Sequence, residues 1–204
     1  MRKQLLILSL ILLASLMAKS QISVDSDSIE PPTKILSLVP QYAIINGLRV
    51  DYDFQMSKNH WIQIAPSLYA GKRNMDINDF YSIKGFALQL YHRYHPGEGF
   101  DKVPVYLSVG PVYQYFQLRH EEYSGSITEM RNTTIHRIGA DVLIGIFHTT
   151  SNTFIFDLYT GLGLRHAFLS TDAENEHRFD ETFIDYGYSG TIWLLGLRIG
   201  IPLN

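Results

Sequence analysis

Trp193-Leu194-Leu195-Gly196-Leu197-Arg198-Ile199-Gly200-Ile201 is the stretch on which the fold turns. Trp193, Leu195, Leu197, Ile199 and Ile201 alternate with Gly196, Arg198 and Gly200. Successive side chains of a strand leave on opposite faces, so this period of two describes a strand with one greasy face and one made of glycine and charge. A 3.6-residue period, the mark of an amphipathic helix, is sustained in no segment of the chain.

Working backwards, the same two-faced pattern recurs. In Thr153–Phe168, Phe154, Phe156, Leu158, Leu162 and Leu164 oppose Asp157, Tyr159, Gly161, Gly163 and Arg165. In Thr133–His148, Ile138, Ala140, Val142, Ile144 and Ile146 oppose Arg137, Gly139, Asp141 and Gly145. Val103–His120 sets Val105, Leu107, Val109, Tyr113 and Tyr115 against Tyr106, Ser108, Gly110 and Gln114. Ser82–His95 sets Phe86, Leu88, Leu90 and Tyr94 against Gly85, Gln89, Tyr91 and Arg93. His60–Gly71 and Leu48–Met56 repeat it, the latter with Arg49, Asp51, Asp53 and Gln55 on its polar face.

These segments outrun the strands of soluble proteins, which cluster near 5–6 residues. A strand tilted across a bilayer needs about 9–11 residues. Short connections at Ser57–Asn59, Pro96–Lys102 and Thr149–Asn152 alternate with long polar ones at Lys72–Tyr81, Glu121–Asn132 and Ser170–Asp185. Membrane barrels alternate short periplasmic turns with longer outer loops in this way. An even count with both ends on one side requires one more strand, supplied by Lys34–Ile45 with Leu36, Leu38, Tyr42 and Ile44 on one face. Asn46-Gly47 then reads as a two-residue hairpin turn, and Pro40 marks the place where that strand would break. The fold predicted is all-β: an eight-stranded antiparallel up-and-down transmembrane β-barrel.

Composition agrees. Only 18% of the 204 residues are charged and 13% are aromatic, against about a quarter charged in ordinary soluble domains. Mean hydropathy is −0.03, too low for a helical membrane protein. The chain has no Cys, which excludes a lipoprotein anchor, disulfides and thiolate metal sites. Residues 1–20 read as a signal peptide, with Arg2 and Lys3 before the apolar run Leu5–Met17 and small Ala18 and Ser20 before Gln21. That run is about 13 residues, short of the roughly 20 a spanning helix needs. Residues 21–33 form a polar, acidic periplasmic leader and 34–204 the barrel. Removal of the signal takes three bases and leaves fourteen against twenty acids, net −6. Nucleic acid is not expected as a partner of so acidic a chain.

The polar faces are rich in Gly and poor in Lys, as befits the lining of a narrow barrel whose bore side chains fill. That lining holds Arg49, Arg93, Arg137, Arg165 and Arg198 against Asp51, Asp53, Asp141 and Asp157. Charges withdrawn from water must pair, so an ion-paired plug is expected in place of an open pore. Aromatics near strand ends (Tyr42, Tyr52, Trp61, Tyr94, Tyr113, Tyr115, Phe154, Phe168 and Trp193) suit two interfacial girdles.

With the signal, the eight strands and the closing segment Leu195–Ile201 together, the chain resembles the small outer-membrane barrels typified by the OmpA membrane domain and OmpX. Leu195–Ile201 looks like the C-terminal strand signal read by the barrel-assembly machinery, although this chain ends Ile201-Pro202-Leu203-Asn204 where that family usually carries an aromatic. Asn46–Tyr52 is similar to the first hairpin of uncharacterised outer-membrane barrels. The resemblance implies the outer membrane of a Gram-negative bacterium, outer-membrane lipid around the wall, and an extracellular or envelope protein as a partner. It implies no chemistry.

Two clusters hold the residue types of lipid A-modifying machinery of the deacylase or acyltransferase kind: His120, Glu121 and Ser124, and His166, Ser170 and Asp172. Such an enzyme needs a hydroxyl nucleophile beside a base. No Gly-x-Ser-x-Gly elbow occurs, so polar residues at a membrane interface explain both clusters and no catalytic residue is expected. Asp172, Glu174, Glu176, Asp180, Glu181 and Asp185 lack calcium-loop spacing and read as a solvated acidic loop, with no metal or cofactor expected. The expected role is structural or surface-interacting, with a narrow channel or an accessory subunit of an envelope complex as alternatives.

Overall fold

The computed structural model of the chain describes residues 32–72, 80–96, 105–124, 127–150, 154–174 and 179–203. The expected signal peptide and nearly all of the expected leader lie outside them, as do Glu176, His177 and Arg178. Eight strands follow in order: β1 Lys34–Leu38, β2 Gly47–Ser57, β3 His60–Lys72, β4 Ser82–Tyr94, β5 Val105–Ser124, β6 Ile127–Thr150, β7 Phe154–Thr171 and β8 Gly190–Leu203. Each pairs antiparallel with its neighbours in sequence, and β1 pairs with β8, so the sheet is a closed up-and-down barrel.

Period two explains which way each residue points. Leu68, Leu107, Val142, Leu162, Leu164, Trp193 and Leu195 are exposed on the outer wall. Arg49, Asp51, Asp53, Gln63, Arg93, Asp141, Asp157 and Arg198 are buried within. Glycine makes room for the larger lining groups. Tyr106 stands opposite Gly145, and its ring occupies the space that a Cβ on Gly145 would need. Tyr159 fills the corresponding space beside Gly196.

The barrel has two unlike ends. The connections after β2, β4 and β6 and the described termini share one, here the turn end; those after β3, β5 and β7 share the other, the loop end. Three apolar layers lie inside. Ile35, Trp61 and Ile155 pack near the turn end. Tyr91, Tyr106, Leu143 and Tyr159 form a middle layer. Tyr69, Ile83, Phe116, Leu118 and Ile135, capped by Phe80 and Phe179 from the loops, close the loop end.

Several expectations need correction. The strand expected over Lys34–Ile45 stops at Leu38, broken at Pro40 as that residue indicates, and Pro40–Ile45 forms a 3-10 turn in place of its second half. Pro40 has no N–H for the ladder. Asn46-Gly47 is therefore not a two-residue hairpin. Asn46 closes the 3-10 turn in the left-handed region (φ 56°), its N–H donating to Tyr42 O, a conformation Asn tolerates. Residues 121–132, expected as a loop, belong mostly to a ladder that continues to Ser124↔Ile127. Tyr42 and Trp61 leave the girdle: Tyr42 rides on the 3-10 turn and bonds Arg49, and Trp61 points into the barrel. Phe154, Phe168 and Trp193 are exposed on the wall.

Candidate functional site: the lumen

The nine lining charges divide into three groups. Six of them alternate in sign along one chain. Arg49 donates to Asp51 through Nε (2.6 Å) and Nη2 (2.9 Å). Arg198 Nε reaches the same carboxylate at 2.8 Å while its Nη1 reaches Asp157 at 2.7 Å. Asp157 also accepts from Arg93, whose Nη1 lies 3.0 Å from Asp53. The order is Arg49–Asp51–Arg198–Asp157–Arg93–Asp53, three cations and three anions contributed by β2, β4, β7 and β8.

Neutral donors complete the coordination. Gln63 Nε2 donates to Asp51 at 3.0 Å, and the Tyr106 hydroxyl donates to Asp157 at 2.6 Å. The Arg93 guanidinium lies 4.1 Å from the Tyr106 ring centroid, and that of Arg198 lies 3.9 Å from the Tyr159 ring, a cation–π placement that strengthens away from water. Each carboxylate in the centre of the chain thus meets several donors, the condition under which a buried charge is tolerated.

A second, separate pair sits nearer the loop end. Arg165 Nη1 meets Asp141 at 2.5 Å, and the Tyr91 hydroxyl donates to the same carboxylate at 2.6 Å. Arg137 is the ninth charge, and the structure does not bring it to an aspartate side chain among the described residues. Its Nε donates to Gln114 at 2.7 Å and its Nη1 to the Asp185 backbone carbonyl at 3.3 Å. Five arginines against four aspartates leave one cation over, and the geometry identifies it as Arg137.

Arg137 borders a cavity of about 420 Å³ between the ion chain and the aromatic cap. The cavity belongs to the upper lumen and includes Tyr42, Gln89, Phe116, Tyr159 and Leu194 in its lining. At its side lie Ile44, Ile45, Ile184 and Leu195, all exposed on the outside of the barrel.

The two clusters weighed for catalysis are not assembled as such. His120 is buried, its Nε2 3.1 Å from Thr133 Oγ1 and its ring against Phe179, while Glu121 leaves on the opposite face of β5; the Ser124 side chain lies outside the described set. His166 is on the outer face beside Phe168, and Asp172 accepts the Asn132 N–H at 2.7 Å. That N–H bond holds the exposed Asp172 carboxyl below the usual carboxylate range. Asp185 Oδ2 likewise accepts the Thr182 N–H at 2.7 Å. Among the described residues, no three acidic or histidine side chains converge as a metal site.

At the turn end His95 packs against Trp61, Tyr106 and Phe147. Burial there, reinforced by the nearby Arg93 cation, pushes its imidazole down to about 4, so the ring is neutral at pH 7.

The lining glutamines and tyrosines share one polar face in the sequence without any sign of their partners; Gln41 carries no signal of its own, and Tyr42 is expected in the girdle and not over the bore. Their signal was Pro40. Once the strand breaks there, the residues after it are free to fold over the bore.

No protein-family model and no curated protein matches the chain. Among solved structures, the chain is similar to the crystal structure of Acinetobacter baumannii CarO, with a TM-score of 0.45 and 7% sequence identity over 85% of this chain and 98% of that one.

Proposed function

We propose that the chain is a small barrel of a Gram-negative outer membrane, closed to ions by its arginine–aspartate chain, with a structural or surface-interaction role and no catalysis. One observation carries the reading: apolar residues cover the outside while eight of the nine lining charges pair inside. A water-soluble barrel would reverse the two faces. On the outer wall one indole and one hydroxyl satisfy each other locally, as hydrocarbon demands. Trp193 Nε1 donates to Thr160 Oγ1 at 2.7 Å, and that hydroxyl donates to Leu194 O at 3.0 Å.

In this reading the partners are outer-membrane lipid along the wall and the barrel-assembly machinery during insertion. An extracellular or envelope protein would be met at the loop end, where Tyr123, Ile127 and Phe183 stand exposed. Cell fractionation and planar-bilayer recording test the proposal together. The mature protein is expected in the outer-membrane fraction, resistant to carbonate, and silent in the bilayer. Steady large conductance would end the closed-lumen reading, and solubility without detergent would end the membrane reading.

A further inference from the structure

The wall of the barrel has a weak seam, and it opens on the cavity that holds the surplus cation. Register between β1 and β8 runs from Lys34↔Leu203 to Leu38↔Ile199 and stops there. β8 continues to Gly190, so its segment from Leu197 to Gly190 has β7 on one side and no strand on the other. The side-chain amide of Gln41, oriented to satisfy both of its polar atoms, takes the place of a missing strand residue. Its nitrogen donates to Leu197 O (2.8 Å) and its oxygen accepts from Leu197 N (3.2 Å). Beyond that contact the 3-10 turn replaces the ladder. Irregular backbone at membrane depth is tolerated where it lines a cavity, and a cavity is what lies behind it.

Leu194 and Leu195 are neighbours on β8 and leave on opposite faces, yet both line this cavity. Leu195 is 67% exposed on the outer wall. The mouth therefore crosses the free edge of β8 and reaches the apolar exterior. Its exposed apolar lining is Ile44, Ile45, Phe183, Ile184 and Leu195, with Asp185 next to Ile184 also bordering it. The interior differs. Arg137 has no carboxylate within ion-pair distance among the described residues; Asp141 lines the same space but is held by Arg165, and Arg49 and Arg165 add two further cations to the lining. A void of about 420 Å³ lies within the usual range of ligand pockets.

We infer that this side-opening cavity binds one single-chain amphiphile with an anionic head. The head meets the Arg137 guanidinium, which pairs naturally with planar or tetrahedral oxyanions. The tail passes out between Ile44 and Leu195 into the surrounding hydrocarbon. Lateral entry rests on the membrane reading above; the charge preference of the cavity does not. A carboxylate head would come from a free fatty acid and a phosphate head from a lysolipid-like monoester.

The test uses mature protein folded in maltoside micelles, with native mass spectrometry after incubation with dodecanoate, monododecyl phosphate or dodecyltrimethylammonium. A saturable 1:1 adduct is expected with at least one of the two anions, and which of them binds more tightly assigns the source. The ammonium is expected to leave no such adduct. R137Q should weaken the adduct about tenfold or more, the loss of one charge-assisted contact. L195W should narrow the mouth and lower occupancy, and R119Q, the same charge change at an exposed position on β5, should do neither. Equal retention of the ammonium, an R137Q protein that binds as wild type, or no 1:1 adduct with either anion would overturn the site. Heat-modifiable migration on gels confirms that each variant is folded. A protein that stays monodisperse without detergent defeats the membrane reading whatever the adducts show.

Discussion

The lower and upper halves of one lumen solve the same problem in opposite ways. Toward the turn end, six charges alternate in sign and are tied to one another from four strands. Toward the loop end, Arg137 is held by an amide and a backbone carbonyl beside a void. The difference teaches how unevenly charge can be matched along one narrow bore. Where cations and anions match, their side chains tie four strands together across it. Where one cation is left over, it is held by neutral groups beside a space that the paired Arg165 and Asp141 also line.

The largest effect should fall on the balanced half. Arg198 bridges Asp51 and Asp157 and is 1% exposed. Arg198→Met leaves two buried carboxylates each short of a partner and should cost about 3–5 kcal/mol. Urea unfolding of the barrel folded in liposomes measures it. Adding Asp157→Asn to that variant should restore part of the loss, because the uncompensated anion is then gone. A double variant no better than the single one would mean that packing, and not charge balance, holds this half.

A smaller effect is expected where glycine makes room for the network. Gly145→Ala places a methyl group against the Tyr106 ring, whose hydroxyl bonds Asp157 and receives Arg198 Nη1 at 2.7 Å. Overpacking of this kind costs about 1–3 kcal/mol. Gly145→Ala combined with Tyr106→Leu relieves the clash, and the two changes should be non-additive in the same unfolding assay.

The turn end also carries a pH dependence. His95 ionises near 4 in the folded protein against 6.5 when unhindered, so the unfolded chain binds the proton more readily. Its contribution is present in full above pH 6.5 and is lost as pH falls from there through 4, and because the ring is part exposed the loss is smaller than the full shift would give. Urea midpoints at pH 7.5 and pH 4 should therefore diverge less in His95→Gln than in wild type. Equal pH slopes would show that the ring is hydrated at this end.

How much of this was legible beforehand follows from what period two encodes. Alternation reports a face, so the charges at Arg49, Asp51, Asp53, Arg93, Asp141, Asp157 and Arg198 could be placed inside from residue type and parity alone. Which arginine meets which aspartate depends on stagger around a closed sheet, which parity does not carry. Arg93 and Asp157 are 64 residues apart and meet across the bore. The 3-10 turn was hidden for a different reason. Tyr42 and Ile44 keep the alternation of a strand, so the pattern ran straight through the break that Pro40 imposes. Gln41, which stands in for a strand by bonding Leu197 through its side chain, leaves no mark in hydrophobic periodicity.

The smallest predicted change sharpens the comparison most, because its sign differs from the first. Arg137→Gln removes a positive charge from the unbalanced half, where the guanidinium hydrogen-bonds to neutral acceptors and Asp141 attracts it only from beyond ion-pair distance. A neutral amide keeps a donor for the Asp185 carbonyl and avoids the cost of holding an unpaired charge away from water. Stability should stay within about 1 kcal/mol of wild type or rise, whereas Arg198→Met falls severalfold further. The two substitutions both remove an arginine from one bore. If they destabilised the barrel equally, Arg137 would have an anionic partner after all, and the division of the lumen into a balanced and an unbalanced half would be wrong.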